Sequence, residues 1–411
     1  MLSITAPDPL ARMELLGRQM VLEPDAEAPT PAGTPTPCGH SPVDLQRAFA
    51  ADSAPLTSKS SSLSFHDAVM PGGGRIRLLK TMLTSACERN CNYCPFRAGR
   101  DMRRTTLKPE EMARAFTQVH ASGGAQGLFL SSGIIGGGVR TQDRLLDTAD
   151  ILRNRLGFRG YLHLKLMPGA EHAQVLRAMT LADRVSLNLE APNQQHLTPL
   201  APRKIFLEEL LQPLRWASDI RRNLPTPRRG RWASFVTQFV VGAHGTAGES
   251  DVELLQTSAM LTQRGLQRAY FSAFHPVHDT PLENHLPENS WREHRLYQAS
   301  FLLRDYGFDF EELPFAQNGR LPLDVDPKLG WAQANLADRP IEVNQADRRE
   351  LLRVPGIGPQ GADALLAARR LHRIADMQQL ARLGVLTRRA APFVLLNGRR
   401  GAGEQLRFPD F

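Results

Sequence analysis

From Arg75 onward, apolar runs of four to seven residues alternate with stretches of helical periodicity, and this rhythm sets the expected fold. Leu78 to Thr84, Leu128 to Ser131, Tyr161 to Leu166, Val185 to Leu189, Phe235 to Val241 and Ala269 to Ala273 read as strands. Helical segments lie between them. Pro109 followed by Glu110 and Glu111 suits a first helical turn, with Gly123 and Gly124 beyond its end, and Ser250 with Glu253 makes a capping box ahead of Leu254 and Leu255. Six strands separated by helices from about 75 to 310 predict an α/β fold with a parallel sheet, a partial six-stranded β/α barrel of TIM-like winding. In such barrels chemistry gathers at the C-terminal ends of the strands.

Before Arg75 the pattern is different. Leu10 to Val21 reads as a short helix, and Glu27 to Ser64 is rich in Pro, Thr, Ser and Ala, which predicts a flexible segment. After about residue 330 the strands cease. Asn344 to Arg353 reads as a helix, Val354-Pro355-Gly356-Ile357-Gly358-Pro359 as a hairpin and Gly361 to Arg370 as a second helix. A weaker echo follows, with Met377 to Leu383, a turn at Gly384-Val385, and Thr387 to Leu396. The expected organisation is therefore 1–64, a helix and a flexible segment; 65–330, the barrel; and 331–411, a small all-α domain of two hairpins.

At 411 residues and 42% hydrophobic content the chain can bury two or three cores. It lacks an eighteen-residue apolar run and the charged-then-apolar order of a signal peptide, so a soluble cytoplasmic protein without a membrane partner is expected. Charge is uneven: the net formal charge is +8, and Gln345 to Phe411 holds 12 basic and 6 acidic residues, hence +6 of it. A basic end suggests a polyanionic partner. Arg221, Arg222, Arg228, Arg229 and Arg231 form another basic group, expected either to extend a nucleic-acid path across the barrel mouth or to be a solvated insertion.

Three of the four cysteines, Cys87, Cys91 and Cys94, lie within eight residues directly after the first strand. Thiolates are the usual ligands of iron–sulfur clusters, and three of them leave the fourth iron of a cubane open for a small chelating ligand. Structural zinc closes with four ligands, and His66 and His120 are not at finger-like spacing. A disulfide framework belongs to short cysteine-rich chains.

The Cys-x3-Cys-x2-Cys loop with Tyr93 before its last cysteine resembles the cluster loop of the radical S-adenosylmethionine (SAM) superfamily. Segments 127–134, 160–165, 185–190, 236–243 and 270–274 are similar to those of DNA modification and repair radical SAM proteins, over about residues 65 to 400. The resemblance implies a [4Fe–4S] cluster on Cys87, Cys91 and Cys94, with SAM chelating the open iron. Reductive cleavage of SAM would yield a 5′-deoxyadenosyl radical that abstracts hydrogen from the substrate. It also implies a reductant such as flavodoxin or ferredoxin and leaves room for a partner protein of repair or modification. The Ser131-Ser132-Gly133 turn corresponds to the backbone edge placed against the amino and carboxylate groups of SAM, and Tyr93 to the residue beside its adenine. Lys165, Asn188, Glu190, Gln238 and Ser272, at later strands, are expected to face the lumen. Lys165 is read either as a ligand contact or as a neutralising partner of Glu190. Gly136-Gly137-Gly138, His275 and His278 read as loop residues. Arg97, Arg100, Arg103 and Arg104 are expected to steer an anion. Some members of this group carry further cysteines before the first barrel strand, but Phe65 to Arg77 has none, and Cys38 lies in the low-complexity segment.

The C-terminal hairpin resembles a helix-hairpin-helix DNA-binding element. Pro355, Gly356, Ile357 and Gly358 would bring backbone amides close to phosphates, with Arg348, Arg349, Arg369 and Arg370 around them. Such contacts hold a duplex without reading its sequence. The reading that follows is a radical SAM enzyme acting on DNA. Its alternatives are a radical SAM enzyme for a small molecule or protein, and a noncatalytic iron–sulfur DNA-binding protein.

Overall fold

A computed structural model describes residues 8–20, 63–69, 75–227 and 230–400. The chain divides into two compact units, Met1–Glu249 with Met260–Glu293, and Ser250–Ala259 with His294–Phe411. Cys38, Arg228, Arg229 and nearly all of the Pro/Ser-rich segment lie outside the described residues.

The first unit is built on one sheet of seven strands in sequence order. They are β1 (Phe65–Val69), β2 (Arg75–Met82), β3 (Gly127–Ser131), β4 (Tyr161–Lys165), β5 (Arg184–Ser186), β6 (Ser234–Val241) and β7 (Arg268–Ala273). Strands β2 to β7 run parallel, and their registers place Leu79 beside Leu128, Leu128 beside Leu162, Leu164 beside Val185 and Val185 beside Phe235. Their residues are buried almost throughout, as strands covered on both faces require, which is why they read as continuous apolar runs. The helices Pro109–Ala121, Gly138–Asp150, His172–Leu181 and Gln212–Asn223 make the crossovers. Sequential parallel order with helical returns is barrel winding, and β7 does not pair back to the start of the sheet, so the barrel is partial. The strand β1 was not anticipated. It lies antiparallel on the outer edge of β2, pairing Phe65 with Leu79.

The basic group before β6 falls at the end of the sheet opposite the cysteines. Arg231 pairs with Asp183 at 3.0 Å, just before β5, while Arg221 and Arg222 donate to the carbonyls of Gly265 and Gln263, just before β7. Its described members therefore brace the N-terminal ends of the strands and do not line the barrel mouth.

The second unit has a core of Leu351, Val354, Ile357, Leu365, Ile374, Leu380 and Val394, with Leu329 and Trp331 packed against it. The first expected hairpin is present as helices Arg348–Arg353 and Pro359–Ala368 around Val354 to Gly358. Two expectations fail. Asn344 to Ala346 are not helical, because the Asn344 side chain is held by the Ile374 backbone, donating to its carbonyl at 2.9 Å and accepting its N–H at 2.8 Å. The helix starts only after Asp347, whose carboxylate accepts the Glu350 N–H at 2.8 Å. Nor is Thr387 to Leu396 one helix: it stops at Ala390, turns through Ala391–Phe393 and enters a strand, β9 (Val394–Leu396). This strand sits between β8 (Ile341–Glu342) and β10 (Arg399–Arg400), so the unit carries a three-stranded sheet and is not the all-α domain expected. Asn397 and Gly398, both at positive φ, make the two-residue hairpin that asparagine-glycine favours.

Lys328 lies beneath the hairpin, 9% exposed, donating to the Ile357 carbonyl at 2.6 Å with its ammonium 4.6 Å from the Tyr306 ring centre. Burial pulls its pKa down from 10.5 to about 7. Between these values the unfolded chain holds a proton that the folded unit lacks, so stability rises as pH increases from about 7 towards about 10; below 7 the full cost of the buried charge is present. The contribution is on the order of 1 kcal/mol per pH unit. Urea unfolding of this unit at pH 7 and pH 9 should show a clear gain for the parent chain and a smaller one for Lys328→Met. Equal gains in the two proteins would refute the assignment of a buried ammonium.

Candidate active site

A cavity of about 480 Å³ opens at the C-terminal ends of the strands, and Cys87, Cys91 and Cys94 all line it. Their loop has no regular structure, so its polar backbone must be satisfied from elsewhere. Arg104 does much of this, donating to the carbonyls of Ser85 at 2.6 Å, Phe96 at 2.9 Å and Arg97 at 2.8 Å. Arg100, 7% exposed, donates to the carbonyls of Pro95 at 2.8 Å and His278 at 3.0 Å. These two arginines are internal struts, contrary to the anion-steering role expected of them.

The outer side of the loop is clasped as well. The Glu88 carboxylate accepts the N–H groups of Gly136 and Gly137, each at 2.9 Å, where the helix Gly138–Asp150 begins. The glycine turn thus receives an internal anion at the helix N-terminus. Arg89 pairs with Glu209 at 2.6 Å, and the Asn92 side chain donates to the Pro199 carbonyl at 2.9 Å. Backbone amides of Ile134 and Phe96 point at the Cys87 and Cys94 sulfurs, at 3.5 and 3.4 Å.

Burial pushes the Cys91 and Cys94 thiols up, and the neighbouring cysteines add to this. Three thiolates cannot share such a wall without a positive group among them. Among the described residues no three His, Cys, Asp or Glu side chains converge on a single ion, although the three cysteines border one cavity. Three thiols from one short loop on one cavity wall suit a polynuclear cluster, in which each would bind its own iron.

Ser131, Ser132 and Gly133 also line the cavity. The Ser131 carbonyl accepts the Leu83 N–H at 2.9 Å, and the Gly133 N–H donates to the Thr84 carbonyl at 2.7 Å, so this segment prolongs the pairing of β2 and β3 into the cysteine loop. A Cβ on Gly133 would stand 2.1 Å from the Ala86 carbonyl oxygen, so this close approach requires glycine. Tyr93, Lys165, Asn188, Glu190, Gln238 and Ser272 border the same space. Burial, then the charge of Glu190, holds the Tyr93 hydroxyl well above its ordinary pKa.

Two details go beyond the sequence reading. Glu190 is neutralised by Lys204 at 3.0 Å, while Lys165 donates to Asn188 at 2.7 Å. Lys204 carries no motif and lies in a loop outside the strand pattern, so nothing in the sequence pointed to it. His275, read as a loop residue, lines the cavity just beyond β7, and burial lowers its pKa.

In the second unit Gly356, at φ +86°, would place a Cβ 2.4 Å from the Leu386 carbonyl oxygen, so it is needed for packing between the two hairpins. Gly358 meets only the Tyr306 hydroxyl, at 3.5 Å. Pro355 and Ile357 complete this turn, with Ile357 buried in the core. Arg348 pairs with Asp363 at 2.7 Å and Arg349 with Asp309 at 2.6 Å, while Arg369 donates to the carbonyls of Val343 and Ala346. Arg370 is exposed.

Residues 81–226 match the family model of the Radical SAM superfamily. Among solved structures, methylornithine synthase (PylB) is similar at 15% identity and a TM-score of 0.43, over 55% of this chain and 61% of that one. The FeFe-hydrogenase maturase HydG from Carboxydothermus hydrogenoformans is similar at 15% identity and a TM-score of 0.44, over 55% of this chain and 51% of that one. A radical SAM methyltransferase from Sphaerobacter thermophilus gives 13% identity and a TM-score of 0.41, over 63% and 81%. The chain thus spans about half to three fifths of the first two structures. No curated protein matches it. The family match runs from within β2 to the residues before β6 and includes the whole cysteine loop, so this stretch of the chain is similar to the Radical SAM superfamily, whose members use a [4Fe–4S] cluster and SAM.

Proposed function

We propose that this chain is a radical SAM enzyme whose substrate is DNA. The observation that carries the enzymatic part is the enclosure of three cysteines and a ring of polar strand-end residues around one cavity. In this reading Cys87, Cys91 and Cys94 hold three irons and leave the fourth for the amino and carboxylate groups of SAM. Ser131, Ser132 and Gly133 offer a backbone edge to those groups, Tyr93 flanks the adenine, and Lys165, Asn188, Glu190, Gln238 and Ser272 supply polar contacts from the later strands. The bound cofactors would supply an electron that splits a carbon–sulfur bond of SAM and so a radical able to abstract hydrogen. The protein's own task is orientation and shielding: Phe96 and Phe274, both on the cavity wall and buried, keep the reacting space apolar on two sides. A flavodoxin or ferredoxin would deliver the electron in a reducing cytoplasm.

Support for DNA comes from the second unit, with its basic excess and its hairpin of the helix-hairpin-helix kind. A base taken from a duplex would have to leave the stack to reach such a cavity. The internal engagement of Arg348, Arg349 and Arg369 favours a second reading, in which this unit is structural and the substrate is a small molecule or protein.

Two experiments bear on this. Anaerobic reconstitution should give a cluster and 5′-deoxyadenosine from SAM in the parent chain and in Cys38→Ala, with at least a hundredfold loss in Cys87→Ala, Cys91→Ala and Cys94→Ala; full activity in Cys91→Ala would rule out the assignment. The DNA reading is tested by point changes, because a chain cut near Asp338 would divide the core that joins Leu329 and Leu336 to Leu351 and Val394. Arg370→Glu and Arg373→Glu should weaken binding to two unrelated duplexes alike, flattening the plot of log affinity against log salt by about 0.9 for each phosphate no longer neutralised. Affinity and slope that do not move in the double variant would favour the structural reading.

A further inference from the structure

Glu190 is the one described residue of the cavity wall, glycine aside, with a left-handed backbone, at φ +65°. Its N–H donates to the Gln238 carbonyl at 3.0 Å and its carbonyl accepts the Val240 N–H at 2.9 Å, so β6 fixes this conformation from both sides. A non-glycine residue held there costs on the order of 1 kcal/mol. The side chain adds a second cost. Glu190 is 3% and Lys204 9% exposed, and a buried ion pair commonly returns less than the desolvation of its two charges. Fold stability accounts for neither feature, and Glu190 and Lys204 line the same cavity as Cys87, Cys91 and Cys94.

We propose that Lys204 is a positioning residue that holds the Glu190 carboxylate and with it forms a charge pair that sets the reduction potential of the cluster on Cys91. The proposal rests on the iron–sulfur reading above. A cluster gains negative charge on reduction, so a nearby cation favours the reduced form and a nearby anion opposes it. The pair keeps these effects in balance. Removing either partner tips the balance in opposite directions, and removing both restores it.

The test is a redox titration of the reconstituted protein without SAM, read by the paramagnetic resonance of the reduced cluster. Lys204→Met leaves the carboxylate alone and should lower the reduced-to-oxidised ratio at a fixed potential about tenfold, equivalent to about 59 mV for one electron. Glu190→Gln leaves the ammonium alone and should raise the ratio by a similar factor. Lys204→Arg and the double variant Lys204→Met/Glu190→Gln should both titrate close to the parent. Single variants that titrate with the parent, or that shift in the same direction, would overturn the proposal. If Lys204→Met takes up no cluster, the direction of the Glu190→Gln shift decides alone. A parent chain that takes up no cluster would instead show in the absorbance before any titration, and would remove the reading of the cysteine loop itself.

Discussion

The first unit depends on how an irregular loop of charged and polar residues is kept rigid at the end of a sheet. An unpaired backbone group enclosed away from water costs as much as a missing hydrogen bond, and a loop with no secondary structure has many. Arg104 answers for three carbonyls of the cysteine loop, Glu88 ties it to the start of the helix Gly138–Asp150, and Arg89 and Asn92 tie it to the segment from Pro199 to Glu209. The cysteine loop is therefore held by polar and charged side chains that bond to the protein's own backbone and carboxylates. Arginine suits the task because its planar fork reaches several carbonyls at once, which a lysine cannot do.

The same physics decides what the sequence made legible. The strands β2 to β7 were readable because each is buried on both faces and so is apolar without interruption. The cysteine spacing was readable because the ligands are neighbours in the chain. The pairing of Glu190 with Lys204 was not, since it joins positions 14 apart, on either side of the short helix Gln194–Leu200. The roles of Arg100 and Arg104 were misread for a related reason: in a sequence, an arginine that donates to carbonyls cannot be told from one that waits for an anion.

The second unit shows the limit from the other side. Helical periodicity placed Arg348–Arg353 and Pro359–Ala368 well, because Asp347 and Gly358-Pro359 punctuate them. It overran at Asn344, a residue that can satisfy backbone groups outside a helix and does so at Ile374. It overran again at Val394, where β-branched and apolar residues suit strand and helix alike, and the Asn397-Gly398 turn that settles the matter lies just beyond.

Gly356 joins these two levels. A glycine in a hairpin of this kind reads as a means for phosphate to approach the backbone, yet its Cβ position is filled by the Leu386 carbonyl of the second hairpin. The Leu386 N–H in turn donates to the Gly356 carbonyl at 2.9 Å, so the two hairpins are joined at this turn. A substitution here would act on the packing of the unit before it acted on any ligand. Arg370 and Arg373 are exposed, so charge reversal there tests binding without disturbing that packing. The distinction between a residue that shapes a surface and one that is part of it decides which change is informative, and it follows from the neighbours of each residue rather than from the motif that contains it.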